Sequence, residues 1–374
     1  MGDLQKYINY IPIVLLSFTF AIIVTPLIMK LAHKIGAVSK PQHLRDEKER
    51  GYTTHIHKGI IPKLGFLPII LPIFVVTPIF LRIDLQIAAI FISLLLLTIF
   101  GIFDDIYNLS GKLQFLLLSF CSFFVIFAGI NITEANNPFT DTFLNFDRGR
   151  VAFEIFSNNV SFSLLSIVIT FFWLMIVINA INWNDGVDGV LNGNVSIASL
   201  IILLVSIRDD NTSSAVLSAL LLGSNLGLLK YNFYPAKIFN SYGGQISGFL
   251  IGILAITSQV KLPIAILIIV FPLVDFLWVL FGRLKRIKPK TPKDFFSILN
   301  VSDTTHLHHR LMSLGYGKRR VAFVEYICTF IAGLAAILLS GLQITFLILS
   351  SCLLVLLIFI FLDKIIARKK NNNA

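Results

Sequence analysis

The chain has 374 residues, 56% of them hydrophobic and only 14% charged, with a formal net charge of +11. A soluble domain of this length has no use for so much apolar surface, so lipid is the expected solvent for most of the chain. The positive charge follows from loop placement, described below, and nucleic-acid binding is not needed to explain it.

Several apolar runs reach the roughly 18 residues that about 30 Å of hydrocarbon demands. Eleven spans are predicted, at about 10–31, 61–80, 86–103, 113–130, 161–181, 190–207, 213–230, 245–259, 262–281, 322–340 and 342–362. The fold class is therefore all-α, a polytopic transmembrane helical bundle forming one integral-membrane domain; a closed barrel would show short alternating segments instead. The first span is longer than a signal-peptide core and no small-residue cleavage site follows it, so it is expected to be retained. Cys121, Cys328 and Cys352 fall inside apolar runs, where thiols behave as small hydrophobes and form neither a loop disulfide nor a zinc site.

Loop charge sets the predicted orientation. With the N-terminus outside and the C-terminus inside, the inner segments 30–63, 104–113, 182–193, 230–244, 282–321 and 363–374 hold 25 of the 31 Lys and Arg. That is the positive-inside pattern, and it suits anionic headgroups or an anionic substrate at the inner surface. The one long outer segment, 131–160, carries Asp147, Arg148 and Gly149 between alternating apolar residues, which predicts a small hairpin.

Unusual polar residues collect in the inner segments. His33, His43, His55 and His57 lie in the first, where a polar loop explains them as well as a task does. Asp104 and Asp105 end the third span; paired carboxylates oppose the helix dipole and repel each other, so a cation or a proton-transfer role is the better reason for them. Lys112, at the start of the next helix, is placed to offset one of the two. Between spans five and six, N-A-I-N-W-N-D-G-V-D-G-V-L-N-G at 179–193 sets Asn182, Asp185 and Asp188 at i+3 spacing, with Gly186 and Gly189 allowing close backbone approach. Such a hard-oxygen set suits Mg²⁺, which takes few protein carboxylates and shares substrate phosphates. Asp275 lies about 10 Å inside the inner end of its span, a costly position that calls for a partner or a task. In H-L-H-H-R at 306–310, helical spacing puts His306, His309 and Arg310 on one face suited to phosphate oxygens.

In this order, H-K-G-I-I-P-K-L-G at 57–65, G-I-F-D-D at 101–105, N-W-N-D-G-V-D-G at 182–189, N-F-Y-P-A-K-I-F at 232–239 and H-L-H-H-R at 306–310 resemble the polyprenyl-phosphate N-acetylhexosamine-1-phosphate transferases. The likeness runs from about residue 36 to 320, and the last motif looks like the UDP-N-acetylglucosamine branch, related to the phospho-N-acetylmuramoyl-pentapeptide enzymes. It implies transfer of a HexNAc-1-phosphate, by default GlcNAc-1-phosphate, from a UDP-sugar to undecaprenyl phosphate at the cytoplasmic face of a bacterial inner (plasma) membrane. UMP would be released, and synthesis of a cell-envelope polysaccharide such as O-antigen or lipopolysaccharide begun. The resemblance implies Mg²⁺, with Mn²⁺ as the alternative, held by Asn182 with Asp185 beside it. Asp104 and Asp105 would deprotonate or orient the lipid phosphate; Lys58, Asp188 and Asn232 would approach the nucleotide; and His306, His308, His309 and Arg310 would hold pyrophosphate and sugar, with Lys112 offsetting charge. Expected partners are the UDP-sugar, the polyprenyl phosphate, membrane lipid and, as one option, a second copy in a homodimer; nucleic acid is not among them.

The chain departs from the family pattern in three places. Tyr242, in N-S-Y-G-G-Q, stands where the family has a metal-binding Asp, Ser39 replaces the Asp of D-x-P, and Phe66 replaces a Gly. A phenol is protonated at neutral pH and a poor Mg²⁺ ligand. Asp185 or Asp104 then supplies the missing ligand, or metal binding is weak. Two rival readings are a transporter or flippase of lipid-linked sugars, whose polar groups would gather near the midplane, and a catalytically impaired relative.

Overall fold

The computed structural model describes residues 2–41, 59–137, 142–147, 149, 151–155, 158–258, 262–288, 291, 305–339 and 342–372. His43, His55, His57 and Lys58 lie outside them. Among the described residues the chain forms α1 (Gly2–Ile8), α2 (Ile11–Ile35), α3 (Leu67–Phe80), α4 (Leu85–Tyr107) and α5 (Gly111–Phe127). Next come α6 (Leu164–Trp183), α7 (Val190–Arg208), α8 (Thr212–Asn232), α9 (Gly243–Thr257), α10 (Leu262–Ile268) and α11 (Val270–Ile287). Then come α12 (Leu307–Ser313), α13 (Lys318–Leu338) and α14 (Leu342–Asn372).

Every predicted span coincides with a helix, but seven are long and apolar enough to cross a membrane by length and composition. Three of the others, α3, α5 and α9, have 14, 17 and 15 residues, about 21–26 Å at helical rise and short of the hydrocarbon thickness. The predicted span 262–281 is two helices, broken at Ile269 just before Pro272, whose ring cannot continue the preceding hydrogen-bond ladder.

Helix starts follow local chemistry. The Asp84 carboxylate accepts from Ile87 N (2.8 Å), Ser163 Oγ from Ser166 N (3.1 Å) and Asn211 Oδ1 from Ser214 N (3.0 Å), each satisfying an orphan donor in the first turn. Short antiparallel ladders complete the fold. β1 (Val38–Ser39) pairs with β2 (Ile61–Pro62), β3 (Glu134–Asn136) with β4 (Phe143–Asn145), and β5 (Val151–Ile155) with β6 (Asn158–Phe162). Asp147 and Gly149 fall between the last two ladders rather than at a turn.

The centre of the bundle is α7 and α8, whose most apolar stretches are 83% and 78% buried, against 17% for α14, which faces outward. Small residues set how closely α8 meets α2. A Cβ on Gly223 would lie 2.0 Å from Ser17 Oγ and 2.2 Å from Val14 O, and one on Gly227 would lie 2.6 Å from Phe18 O. The two glycines are four residues apart, the small-xxx-small arrangement by which membrane helices gain close packing in place of a hydrophobic driving force. Gly223→Val should force these helices apart and cost about 1–3 kcal/mol. The expected result is a lower Tm in detergent; an unchanged Tm would show that α2 is not seated there.

Candidate active site

The ends of four helices meet two stitched loops. Asp104 and Asp105 sit in the last turn of α4 and Asn182 in the last turn of α6; Asn232 is the last residue of α8, and α9 begins after Tyr242. The 61–65 segment is sewn into this junction through Phe239 N to Pro62 O (2.9 Å), Gly65 N to Phe239 O (3.0 Å) and Leu64 N to Asp105 Oδ2 (2.9 Å). These contacts leave a cleft of about 290 Å³.

Four carboxylates line the cleft, Asp104, Asp105, Asp185 and Asp188, with Lys63 as the only cation among the described lining residues. Each acid is restrained differently. Asp105 is 3% exposed and both its oxygens are engaged, by Leu64 N and by the Ser241 hydroxyl, while Lys63 Nζ donates to its backbone carbonyl (3.2 Å). Asp104 Oδ1 accepts from Leu109 N (2.9 Å) and Gln114 Nε2 (3.0 Å). Asp188 takes the Lys318 ammonium (3.2 Å) and Ala236 N (3.1 Å). Asp185 Oδ1 accepts from Asn240 Nδ2 (3.1 Å); desolvation, opposed by that bond and reinforced by Asp188, pushes its carboxyl up to about 7. Asn232 holds the wall together, accepting from Gly189 N (2.9 Å) and donating to Ile238 O (2.8 Å).

Backbone conformation also marks this place. Leu64, Asn108 and Ser241 have φ of 68°, 51° and 55°, three of the five left-handed non-glycine residues described. Such conformations cost about 1–2 kcal/mol for an L residue and persist where the surroundings enforce them.

The cleft passes into a second cavity of about 390 Å³ through shared residues Asp104, Asn108 and Asn182. Phe115, Leu118, Met175 and Trp183 are among its lining residues, and the Arg283 guanidinium lies 4.1 Å from the Trp183 ring centre. The first cavity is thus lined mainly by polar groups, and the second adds apolar side chains to Ser110, Gln114, Asn179 and Gln245.

The H-L-H-H-R residues are internal. His306 Nδ1 donates to Asp275 Oδ2 (2.7 Å) and Leu307 N to Asp275 Oδ1 (2.8 Å), which supplies the partner that a buried Asp275 requires. Arg310 is bound to Asp363 and to Thr305 O (2.6 Å) and stacks over the Phe359 ring, facing α14. His306 and Arg310 therefore do not present the shared phosphate-gripping face that helical spacing predicts, because each is drawn to a different neighbouring helix. His308 is 1% exposed and presses on the acidic loop, where a Cβ on Gly186 would lie 1.9 Å from its Nε2. Its ring nitrogens have no hydrogen-bond partner among the described residues. His309 packs against the His308 ring at 4.6 Å. None of the four lines the cleft, and neither does Lys112, which is exposed on α5.

Tyr242 is also absent from the lining. It is 1% exposed and packed between Phe66 (6.4 Å) and Phe100 (5.8 Å), so two of the three departures from the family pattern, at positions 66 and 242, contact each other. Burial, with Asp104 and Cys121 adding to it, holds its phenol well above the usual range, so it remains protonated. The third departure, Ser39, does line the cleft. Residues that the sequence reading passed over are Lys63, Asn108, Asn240 and Ser241. Lys63 stands in the same motif as Lys58, and Asn240 and Ser241 directly precede Tyr242, so each is a neighbour of a residue marked by the motif pattern.

No group of three or more His, Cys, Asp or Glu among the described residues is arranged to hold a metal ion unaided. The donor set nevertheless fits a hard cation shared with a ligand. Asn182 Oδ1 and the second oxygens of Asp104 and Asp185 accept no hydrogen bond among the described residues, and the four carboxylates are answered only by Lys63 in the described lining and by Lys318 at Asp188. Such an acidic cleft would take an anionic ligand only with its charge offset.

The family model for glycosyl transferase family 4 matches residues 87–259, which carry most of this cleft. Over those residues the chain is similar to that family. It is 28% identical over 345 residues to a probable undecaprenyl-phosphate N-acetylglucosaminyl 1-phosphate transferase of Bacillus subtilis, covering 90% of this chain and 87% of the relative. It is 27% identical over 360 residues to a phospho-N-acetylmuramoyl-pentapeptide-transferase of Caldicellulosiruptor bescii, covering 90% and 99%. A decaprenyl-phosphate N-acetylglucosaminephosphotransferase of Mycobacterium leprae is 30% identical over 190 residues, 43% of this chain and 45% of the relative. Family 4 and these relatives indicate a phospho-sugar transferase.

Burial, followed by the neighbouring His306 and His309, holds the His308 imidazole well below its usual 6.5. The folded protein keeps this ring neutral while the unfolded chain protonates it below about pH 6.5, so stability falls as pH drops through that value. His308→Gln should remove this part of the acid sensitivity. The expected result is a shallower fall of Tm between pH 7 and pH 5 than in the wild type, and identical slopes would count against the buried neutral ring.

Proposed function

We propose that this chain transfers a HexNAc-1-phosphate, GlcNAc-1-phosphate by default, from a UDP-sugar to undecaprenyl phosphate, releasing UMP. The observation that carries the reading is the convergence of Asp104, Asp105, Asn182, Asp185 and Asp188, from two separate stretches of chain, on one cleft that adjoins a second cavity whose mixed lining includes Phe115, Leu118, Met175 and Trp183. A lipid phosphate and a water-soluble nucleotide sugar need that pairing of surfaces.

Mg²⁺, or Mn²⁺, held by Asn182 and Asp185 with Asp104 near, would neutralise the substrate diphosphate. Asp104 reaches both cavities, and its uncommitted oxygen is available to orient the acceptor phosphate or take its proton. A nonbridging oxygen of that phosphate forms the new bond to the sugar-side phosphorus, the bridging P–O bond breaks, and UMP leaves with the electron pair. Lys63 meets the diphosphate charge; Asp105, with both oxygens engaged, holds Leu64 and Ser241 in place; and Asp188 and Asn232 shape the nucleotide wall. His308 backs the Gly186 turn, so the histidine motif acts here by supporting the loop.

In this reading the N-terminus is outside, the C-terminus inside, and the cleft faces the cytoplasm of a bacterium from its plasma membrane. The basic residues Lys285, Arg286, Lys318, Arg319 and Arg320 on the same side support that orientation. The gathering of polar groups at the helix ends rather than the midplane favours an interfacial enzyme over a transporter. Purified protein supplied with Mg²⁺, undecaprenyl phosphate and UDP-GlcNAc should release UMP and form a lipid pyrophosphate, and EDTA should stop it. Asp104→Asn and Asn182→Ala should each lower kcat by about 100-fold or more, the scale of losing one aligned polar group. Absence of UMP with any UDP-sugar would overturn the assignment.

A further inference from the structure

Helix α13 contributes nothing to the described lining of the cleft, yet one of its faces is bonded to the acidic loop and to the helix that follows it. Lys318 Nζ reaches Asp188 (3.2 Å), the Tyr326 hydroxyl donates to Gly189 O (2.6 Å), and the Thr329 hydroxyl donates to Asn194 (3.2 Å). Between them, Glu325 Oε2 accepts from both Asn184 Nδ2 (3.0 Å) and Asn194 Nδ2 (3.2 Å), and Asn194 also donates to Asn184 Oδ1 (3.0 Å). The four α13 residues are spaced seven, one and three apart, which brings them to one side of a helix. The fit is close, since a Cβ on Gly193 would lie 2.0 Å from the Tyr326 ring.

Glu325 is 2% exposed within an apolar helix, and its Oε1 has no partner among the described residues. A buried carboxyl in such a helix is costly, and it is kept where it has a partner or a task. Its partner here is Asn184, the residue immediately before Asp185. Asp185 and Asp188 repel each other across a glycine-containing turn, so their separation depends on what holds the turn from behind.

We propose that α13 is the positioning element of the acidic loop, with Glu325 and Tyr326 as positioning residues that hold Asp185 and Asp188 in register for the cation and diphosphate. This rests on the proposed transferase reading for its activity readout only. Glu325 acts as a hydrogen-bond acceptor, so a carboxamide can replace it: one oxygen still accepts from both asparagines, and the amide takes the place of the unpartnered oxygen.

The test compares Glu325→Leu, Glu325→Gln and Tyr326→Phe with the wild type in nanodiscs, by hydrogen–deuterium exchange and by UMP release. Glu325→Leu should raise exchange across 184–189 by about tenfold while leaving α4 and α9 unchanged. It should lower kcat by about tenfold or more with a smaller change in KM for the UDP-sugar. Glu325→Gln should restore both readouts to within about threefold of wild type. Tyr326→Phe, which removes one hydroxyl and keeps the ring, covers the case in which Glu325→Leu does not fold; it should shift exchange at 189 and lower kcat in the same direction. Wild-type exchange across 184–189 in both Glu325→Leu and Tyr326→Phe would overturn the proposal, as would failure of Glu325→Gln to restore the loop. Exchange needs no turnover, so a wild type that releases no UMP would sink the transferase reading and leave this one to be decided by the exchange data.

Discussion

Four carboxylates in one cleft, answered by a single lysine among the described lining residues, is the constraint around which the rest of the structure is arranged. Like charges brought together at low dielectric repel strongly, and each must be separated, hydrogen-bonded, paired or left protonated. All of these solutions occur here. Asp105 is held by a backbone N–H and a serine, Asp104 by Leu109 and Gln114, and Asp188 by Lys318, while Asp185, with one amide bond, is pushed up to about 7. The remaining imbalance is what the proposed cation and anionic substrate would offset.

Holding that arrangement accounts for features that look unrelated along the chain. Left-handed Leu64 turns its N–H to Asp105, and left-handed Ser241 offers its hydroxyl to the same side chain. The aromatic packing of Phe66, Phe100 and Tyr242 fills the core behind Ser241, so the phenol is a space-filling group rather than a ligand. His308 and α13 back the acidic loop from two further directions. The helices thereby hold the polar groups of the cleft in place, the condition under which the electrostatic stabilisation of the proposed transfer would be effective.

Local patterns in the sequence were enough for some of this. Hydropathy determined that the chain is a helical membrane bundle, because only helices and closed barrels satisfy backbone groups in lipid and the runs lacked strand alternation. The pairs Asp104–Asp105 and Asp185–Asp188 could be singled out because charges at helix ends with adjacent glycines are poorly explained by stability alone. The motif order pointed to the family that the comparisons support.

What a sequence cannot carry is the direction in which a side chain is spent, since that depends on which distant helix lies beside it. Helical spacing grouped His306, His309 and Arg310 on one face, but Asp275 of α11 and Asp363 of α14 drew His306 and Arg310 apart. Position along a motif set Tyr242 where the family has a metal-binding Asp, and burial against Phe66 put it in the core. Lys63, Asn240 and Ser241 became cleft residues only when the 61–65 segment was sewn to Phe239, and Glu325 found Asn184 across 141 positions of chain. Periodicity and composition are short-range properties and are written in the chain, while hydrogen-bond partnership between remote segments is created by packing and appears only once the helices are assembled.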